Sequence, residues 1–282
     1  MTDFTPHTML GPKVLLEGPA GTGKTHALGT LVEWADANGY RVFILFTENG
    51  LETLLGYFTD RGKPVPSCLY YHSSMTRPNS LSSLIKAADN VGKLSYEAVT
   101  KLADPERSKN NAFHKILETC ANFPDDRTGK TFGPVDSFTA KDIFAIDSLS
   151  ELSNAAFKMV IGSRPTAAPP DYGVAQNNLM NFLRLCTQGM VCSFFMTAHV
   201  SREKDEITGG VKLMTKAIGA ALANEIPQLF SDVIYTVRNG DKFSWDTAAA
   251  NVDVKTRSLP IRAGLDPDCG RIMAKWVSRK GG

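Results

Sequence analysis

One eight-residue stretch near the start of the chain constrains the fold more than any other feature. Residues 18–25 match the phosphate-binding pattern G-x-x-x-x-G-K-[ST]. Glycines let such a loop curl so that its backbone N–H groups face a phosphate chain, a geometry that a Cβ would hinder. A helix beginning at about Lys24 would add the positive end of its dipole. The loop comprises Gly18, Pro19, Ala20, Gly21, Thr22, Gly23, Lys24 and Thr25.

The residues on either side of this loop have the patterns of a strand and a helix. Residues 14–17 read as a short buried strand, and residues 25–38 place apolar side chains at helical spacing. Gly39 then stands where a glycine commonly ends a helix. A chance match in a glycine-rich turn is the alternative, which the order of strand, loop and helix disfavours. In a true site, Lys24 would reach the β- and γ-phosphates and the Thr25 hydroxyl would hold Mg²⁺.

Apolar runs and helical patterns alternate along the rest of the chain. Strands are predicted at 41–47, 69–72, 142–147 and 190–197, and alternating antiparallel strands at 232–237, 242–245 and 251–255. Helices are predicted at 51–60, 81–90, 149–161 and 174–189. This order predicts an α/β fold with a mainly parallel sheet flanked by helices and an antiparallel C-terminal extension. One domain would span 1–282, with a helical insertion at about 75–140 and a short, frayed basic tail at 276–282.

Composition excludes several classes of protein. The chain has 43% hydrophobic and 21% charged residues, as an ordinary globular protein has, and a net charge of +2. Any nucleic-acid surface must therefore be a local patch rather than a global field. The five cysteines are irregularly spaced without C-x-x-C, which is typical of reduced thiols in a cytosolic protein. We expect no signal peptide and no contact with a membrane, and so a cytoplasmic protein.

Three polar side chains follow predicted strands, at the ends where ligands gather in open α/β sheets. Asp147 closes D-I-F-A-I-D and would hold Mg²⁺ through water, or else cap the next helix. Glu48 follows the second strand and is a candidate general base, or else a solvated loop charge. His199 ends T-A-H and would sense the γ-phosphate, or else be a hydrogen-bonded histidine without that role.

A loop with several cations is predicted at 200–221. Gly209 and Gly210 would make it mobile, and its cations suit contact with a nucleic-acid backbone. Its mixed charges also fit a solvated surface loop. The candidate nucleic-acid contacts are Arg202, Lys204, Lys212 and Lys216.

Two cations leave the last predicted strand. Lys255 and Arg257 are separated by one residue, so they project from the same face of an extended chain. They could reach a γ-phosphate in a neighbouring subunit, as an arginine finger does. The alternative is a basic edge strand that discourages aggregation.

Together these motifs resemble the core of a RecA-type ATPase. The resemblance rests on G-P-A-G-T-G-K-T, Glu48 after F-I-L-F-T, Asp147 in F-A-I-D-S, His199 in F-F-M-T-A-H, and K-T-R at 255–257. T-A-H, the long segment after it, L-F-S-D-V and K-T-R are most similar to the short RecA-like ATPases of bacteriophages, which are implicated in single-strand annealing and recombination. His199 stands where the bacterial recombinase has Gln, and the insertion at 75–140 has no counterpart.

The resemblance implies a RecA-like P-loop NTPase that binds ATP and Mg²⁺ and hydrolyses ATP in a DNA-dependent manner. It implies single-stranded DNA as a partner, self-assembly into a ring or filament with the ATP site at a subunit interface, and a single-strand-binding protein as a further partner. Lys24, Glu48, Asp147 and His199 would form the site, which Lys255 and Arg257 of a neighbour would complete. Two other hypotheses stay open: a helicase-like or loader ATPase in phage replication, and a nucleotide-dependent scaffold without hydrolysis.

Overall fold

A sheet of seven mostly parallel strands is the centre of this computed structural model, which describes residues 10–75, 81–82, 111–162, 167–204 and 209–280 and positions 85, 89, 92, 93 and 95. The strands among the described residues are β1 (Lys13–Glu17), β2 (Arg41–Phe46), β3 (Leu69–Ser73), β4 (Asp142–Asp147), β5 (Ser193–Ala198), β6 (Val200–Lys204), β7 (Val211–Thr215), β8 (Asp232–Asn239) and β9 (Lys242–Asp246). The order in the sheet is β3-β2-β4-β5-β1-β8-β9, and β6 and β7 form a separate hairpin.

All neighbours in this sheet are parallel except β8 and β9. Every residue of β1, β4 and β5 is buried, as expected for parallel strands covered on both faces. That double burial explains why these strands appear in the sequence as continuous apolar runs. The prediction of an α/β fold with a mainly parallel, helix-flanked sheet and an antiparallel extension is confirmed.

Helices cover both faces of the sheet. They are α1 (Lys24–Asn38), α2 (Leu51–Thr59), α3 (Ala112–Ala121), α4 (Leu149–Ile161), α5 (Pro169–Arg184), α6 (Ala220–Leu229) and α7 (Cys269–Lys280). Side chains of α1, α2 and α7 pack in one buried apolar cluster. Those of α3, α4, α5 and α6 pack in the other. The first helix ends at Gly39, whose φ of +68° is the left-handed conformation expected of a glycine C-cap.

Three segments differ from the sequence prediction. The segment 251–255 forms no strand and makes only isolated bridges, from Val252 to Leu213 and from Lys255 to Val233. The segment after His199 was predicted as a loop, but it contains the hairpin of β6 and β7. Helix α5 begins at Pro169, because proline is tolerated in a first helical turn. Most of the helix predicted at 81–90 lies outside the described residues, as does most of the insertion before residue 111.

The prediction of a frayed basic tail at 276–282 is wrong for residues 276–280, because they form the end of α7. Trp276 is buried against the α1 side of the sheet, and its indole Nε1 donates a hydrogen bond of 3.0 Å to the carbonyl of Leu10. Basic residues at the C-terminal end of a helix interact favourably with the negative end of its dipole. The charges that suggested a frayed tail therefore stabilise the last turn of α7. No described helix is long and apolar enough to span a membrane.

We expect Trp276→Ala to lower the free energy of unfolding by about 3–5 kcal/mol, because it removes a large buried ring. The ring is only 6% exposed. Val277→Ala is the matched control, since Val277 is 40% exposed on the same helix, and should cost less than about 1 kcal/mol. Urea unfolding measures both. Equal effects would contradict the packing of α7.

Candidate functional site

The phosphate-binding loop lies between β1 and α1 and is shaped by its glycines. Gly21 and Gly23 have φ values of +73° and +82°, in the left-handed region that favours glycine. Gly18 lies so close to β8 that a Cβ there would come within 2.2 Å of the Thr236 hydroxyl. The Thr22 hydroxyl contacts that same hydroxyl at 2.7 Å. The loop is therefore curled as the motif predicts, and β8 supports one side of it.

Lys24, the lysine of the motif, folds back onto the loop. Its Nζ donates to the carbonyls of Gly18 at 2.8 Å and Pro19 at 2.7 Å. Burial lowers the pKa of Lys24 to about 8, against the opposing influence of Asp147 and Glu48. A phosphate beside this ammonium would stabilise its charged form, so binding of an anion at the loop would be electrostatically favourable.

Asp147 is the best-anchored polar side chain of the site. Its Oδ2 accepts a hydrogen bond of 2.7 Å from the Thr25 hydroxyl, and its Oδ1 accepts one from the Thr197 hydroxyl. The residue is 1% exposed, and this burial raises the pKa of Asp147 while the two hydroxyls oppose the rise. Gly50 packs so closely that a Cβ there would lie 2.5 Å from Oδ2. Ser148, not Asp147, occupies the N-cap position of α4, so the capping alternative is wrong.

The oxygens of Thr25 and Asp147 suit a magnesium ion. Mg²⁺ prefers hard oxygen ligands and is held by one or two protein oxygens together with waters and phosphate. A hydroxyl and a carboxylate oxygen 2.7 Å apart beside a phosphate-binding loop fit that preference. When bound, Mg²⁺ would neutralise charge on the phosphates. Among the described residues no cluster of three or more His, Cys, Asp or Glu side chains is arranged for a metal.

Glu48 and His199, predicted separately, lie side by side. The Glu48 Oε2 is 3.3 Å from the His199 Nε2, and the two side chains are 24% and 26% exposed. Burial raises the pKa of Glu48, but His199, Ser148 and Lys24 outweigh it and leave that pKa below its ordinary value. The His199 backbone N–H donates to the Ser150 hydroxyl at 3.0 Å. Glu48 is thus ionised at neutral pH and can accept a proton.

Glu17 and Thr197 are site residues that the sequence prediction missed. Glu17 is 1% exposed at the end of β1, and its Oε2 accepts a hydrogen bond of 2.6 Å from the Thr215 hydroxyl of β7. Its Oε1 meets no donor among the described residues. Burial raises the pKa of Glu17 to about 7, and the nearby charge of Asp253 raises it further. The only sequence signals were an acid that closes an apolar strand and a hydroxyl two residues before His199.

The cations of the β6–β7 hairpin do not form one patch. Glu203 pairs with Lys212 across the hairpin, so these two share a face, whereas Arg202 and Lys204 project from the other face. Lys212 also forms a 3.1 Å ion pair with Asp253. Arg202 and Lys204 are exposed. Only these two of the four predicted nucleic-acid contacts share an accessible face of the hairpin.

The base of the hairpin is bonded to elements that carry the site. The Lys216 N–H donates to the His199 carbonyl at 2.8 Å, and the Ser150 hydroxyl donates to the Lys216 carbonyl at 3.3 Å. The Ile218 N–H donates to the Ser153 hydroxyl at 2.9 Å. Lys216 therefore acts here through its backbone, and a displacement of β5 or α4 would be transmitted to the hairpin.

Lys255 and Arg257 lie away from the phosphate-binding loop of their own chain. Lys255 bridges Val233, and the Arg257 N–H donates to Asp232 at 2.9 Å. Both partners begin β8, which runs parallel to β1, so they lie at the sheet edge opposite the loop. Within one chain the two cations cannot complete the site that Lys24 and Asp147 form.

Solved structures resemble this chain only distantly, as one example shows. No family model matches the chain, and no curated protein matches it. A solved structure of a prototypical ATPase from the type III secretion system of pathogenic bacteria is similar at 14% identity with a TM-score of 0.39. The match covers 81% of this chain and 53% of that one, so the chain spans about half of its length. The roles of the site residues therefore depend on their geometry alone.

Glu17→Gln should make the protein more stable above neutral pH. The folded-state pKa is raised from 4.5 to about 7, so between these values the native state holds a proton that the unfolded chain has lost. The wild-type free energy of unfolding should therefore fall as pH rises across that window, and be lower than that of the variant by roughly 2–3 kcal/mol above it.

Urea unfolding at several pH values from about 4 to 8 tests this pH dependence. Glu203→Gln, on the exposed hairpin surface, is the matched control and should change stability by less than about 0.5 kcal/mol. A Glu17→Gln protein that is less stable than wild type above pH 7 would show that the carboxylate is stabilised in the folded state.

Proposed function

We propose that this protein is an ATPase that binds ATP at the phosphate-binding loop and hydrolyses it with Glu48 as general base. The observation that carries the proposal is that Lys24 and Thr25 of the phosphate-binding loop lie beside Asp147 and Glu48, which stand at the ends of other strands. Thr25 donates to Asp147 at 2.7 Å, Lys24 lies on the loop, and Glu48 contacts His199 at 3.3 Å. A hydroxyl, a carboxylate, an ammonium and a general base are the groups that phosphoryl transfer to water requires.

The chain's own residues would divide the work in the following way. Lys24 and the backbone N–H groups of the loop hold the phosphates, and Thr25 with Asp147 holds Mg²⁺. Glu48 accepts a proton from a water whose oxygen attacks the γ-phosphorus. The bond from that phosphorus to the β–γ bridging oxygen breaks, which leaves ADP and inorganic phosphate. His199 holds Glu48 in place from β5 and would sense whether the γ-phosphate is present.

We further propose that ATP turnover serves a RecA-like role on single-stranded DNA, in annealing or recombination in phage DNA metabolism. Arg202 and Lys204 would contact the DNA backbone, because they share an exposed face of the hairpin. The hairpin begins one residue after His199 and is bonded to it at its base. Lys255 and Arg257 would act on the nucleotide of a neighbouring subunit in a ring or filament, since their own loop is at the opposite edge.

Lys24→Ala and Glu48→Gln should separate binding from hydrolysis. Lys24→Ala removes the ammonium that faces the phosphates and should abolish measurable ATP binding and turnover. Glu48→Gln should keep ATP binding within a few-fold but slow hydrolysis by about 10²-fold or more, because the amide cannot accept the proton. Calorimetry with ATP and steady-state phosphate release measure the two effects. Unchanged turnover in Lys24→Ala would overturn the proposal, and unchanged turnover in Glu48→Gln would favour a role as a nucleotide-dependent scaffold.

Mixing two inactive variants should restore ATP hydrolysis if subunits share a site. Arg257→Ala keeps its own phosphate-binding loop and Lys24→Ala keeps its own Arg257, so contacts between the two complete roughly a quarter of the sites in a random mixture. Phosphate release with and without single-stranded DNA measures the recovery. Two results would contradict action across a subunit interface: ATP hydrolysis by either variant alone, or no hydrolysis by the two variants mixed at any ratio.

The DNA role has a separate readout. Replacing both Arg202 and Lys204 by Gln should weaken binding to single-stranded DNA and reduce the slope of log K against log salt by about 1.4, because about 0.7 of a counterion is released per phosphate contact. Lys212→Gln is the control on the other face of the hairpin. Directional unwinding of duplex DNA would favour a helicase-like ATPase instead.

A further inference from the structure

The position of β1 within the sheet divides the nucleotide site into two sides. Strand β1 carries the phosphate-binding loop and has β5 on one side and β8 on the other. Asp147 and Thr197 belong to β4 and β5, and Glu48 follows the end of β2, so all three are on the β5 side. A nucleotide whose γ-phosphate faces these residues must extend its α-phosphate and nucleoside away from them. The nucleoside end is therefore directed to the β8 side of the loop.

Phe243 is the aromatic side chain that borders the loop on that side. It belongs to β9, and a Cβ added to Gly23 would lie 2.8 Å from its ring. The ring centroid is 5.5 Å from that of His26 in the first turn of α1. Phe243 is half-buried, so part of this residue stays accessible beside the loop. An aromatic ring at this place offers a surface on which a nucleobase can stack.

Arg238 adds a cation to the same place. Its Cζ lies 5.5 Å from the Phe243 ring centroid, and a Cβ on Gly21 would be 3.9 Å from its NH1. The Arg238 Nε donates to the Gly240 carbonyl at 2.8 Å, which fixes the guanidinium over the turn. The side chain is exposed, and no described carboxylate forms an ion pair with it. Its terminal nitrogens can therefore donate to the oxygen and nitrogen acceptors of a ligand.

We propose that the turn end of the β8–β9 pair is the nucleoside subsite, in which Phe243 of β9 stacks on the base and Arg238 of β8 donates to base or ribose acceptors. This inference rests on the proposed ATP site. It assigns the ligand class as a nucleoside with a planar base, held by side chains that lie outside the phosphate-binding motif. The two residues act in binding and take no part in bond cleavage.

Titration calorimetry with two ligands tests the subsite. ADP carries the nucleoside, whereas inorganic pyrophosphate has the phosphate chain alone. Arg238→Gln removes the charged donor from an exposed position, and Phe243→Leu keeps apolar contact with Gly23 but removes the aromatic face. Each should weaken ADP binding about fivefold or more, because one variant removes base stacking and the other removes a charge-assisted hydrogen bond. Each should leave pyrophosphate affinity within about twofold.

Arg184→Gln is the matched control. It removes the same charge from an exposed position on α5, in the helical layer on the other face of the sheet, and should change neither affinity. Equal loss of ADP and pyrophosphate affinity would overturn the subsite, because the side chains would then act on the phosphates or the loop. Unchanged ADP affinity in Arg238→Gln would also overturn the subsite. The Arg238→Gln variant therefore tests the proposal even if Phe243→Leu fails to fold. Wild-type protein that binds neither ligand would instead overturn the proposed ATP site itself.

Discussion

The buried carboxylate of Asp147 is the constraint on which the rest of the site depends. A carboxylate this far from water is costly unless hydrogen bonds compensate, and here the hydroxyls of Thr25 and Thr197 supply them. Those two hydroxyls come from the phosphate-binding loop and from β5, so the carboxylate at the end of β4 connects both to its own strand. The backbone carbonyl of Asp147 also accepts from the Thr47 N–H at 2.7 Å, which fixes the end of β2 next to Glu48.

The order of strands gives the site two different sides, one on each side of the phosphate-binding loop. Since β5 and β8 flank β1, the groups suited to hydrolysis gather on one side of the loop and Phe243 with Arg238 on the other. The same arrangement places the hairpin on the side of Glu48 and His199. Glu17 joins the end of β1 to Thr215 at the end of the hairpin, so the loop and the hairpin share a buried hydrogen bond.

Whether a site residue could be predicted from the sequence depends on how far along the chain its contacting partners lie. Lys24 and Thr25 belong to a motif whose glycines encode their own backbone shape, and Asp147 closes an apolar run that must be a buried strand. Glu17, Thr197 and Phe243 were missed because their partners are far away in the chain, as Thr215 is from Glu17. The hairpin was missed because its charged residues resemble those of a solvated loop, and α7 because buried Trp276 stands among basic residues.

The sequence by itself determined the phosphate-binding loop, the parallel α/β fold and the strand ends at which Glu48, Asp147 and His199 stand. These follow from short-range physics, namely glycine conformations, helical spacing and the burial of continuous apolar strands. The tertiary structure alone decided which side chains meet: Glu48 with His199, Asp147 with Thr197, Glu17 with Thr215, and Phe243 with the loop. Strand order is fixed by packing between segments distant in the chain, and no local pattern of residues encodes it.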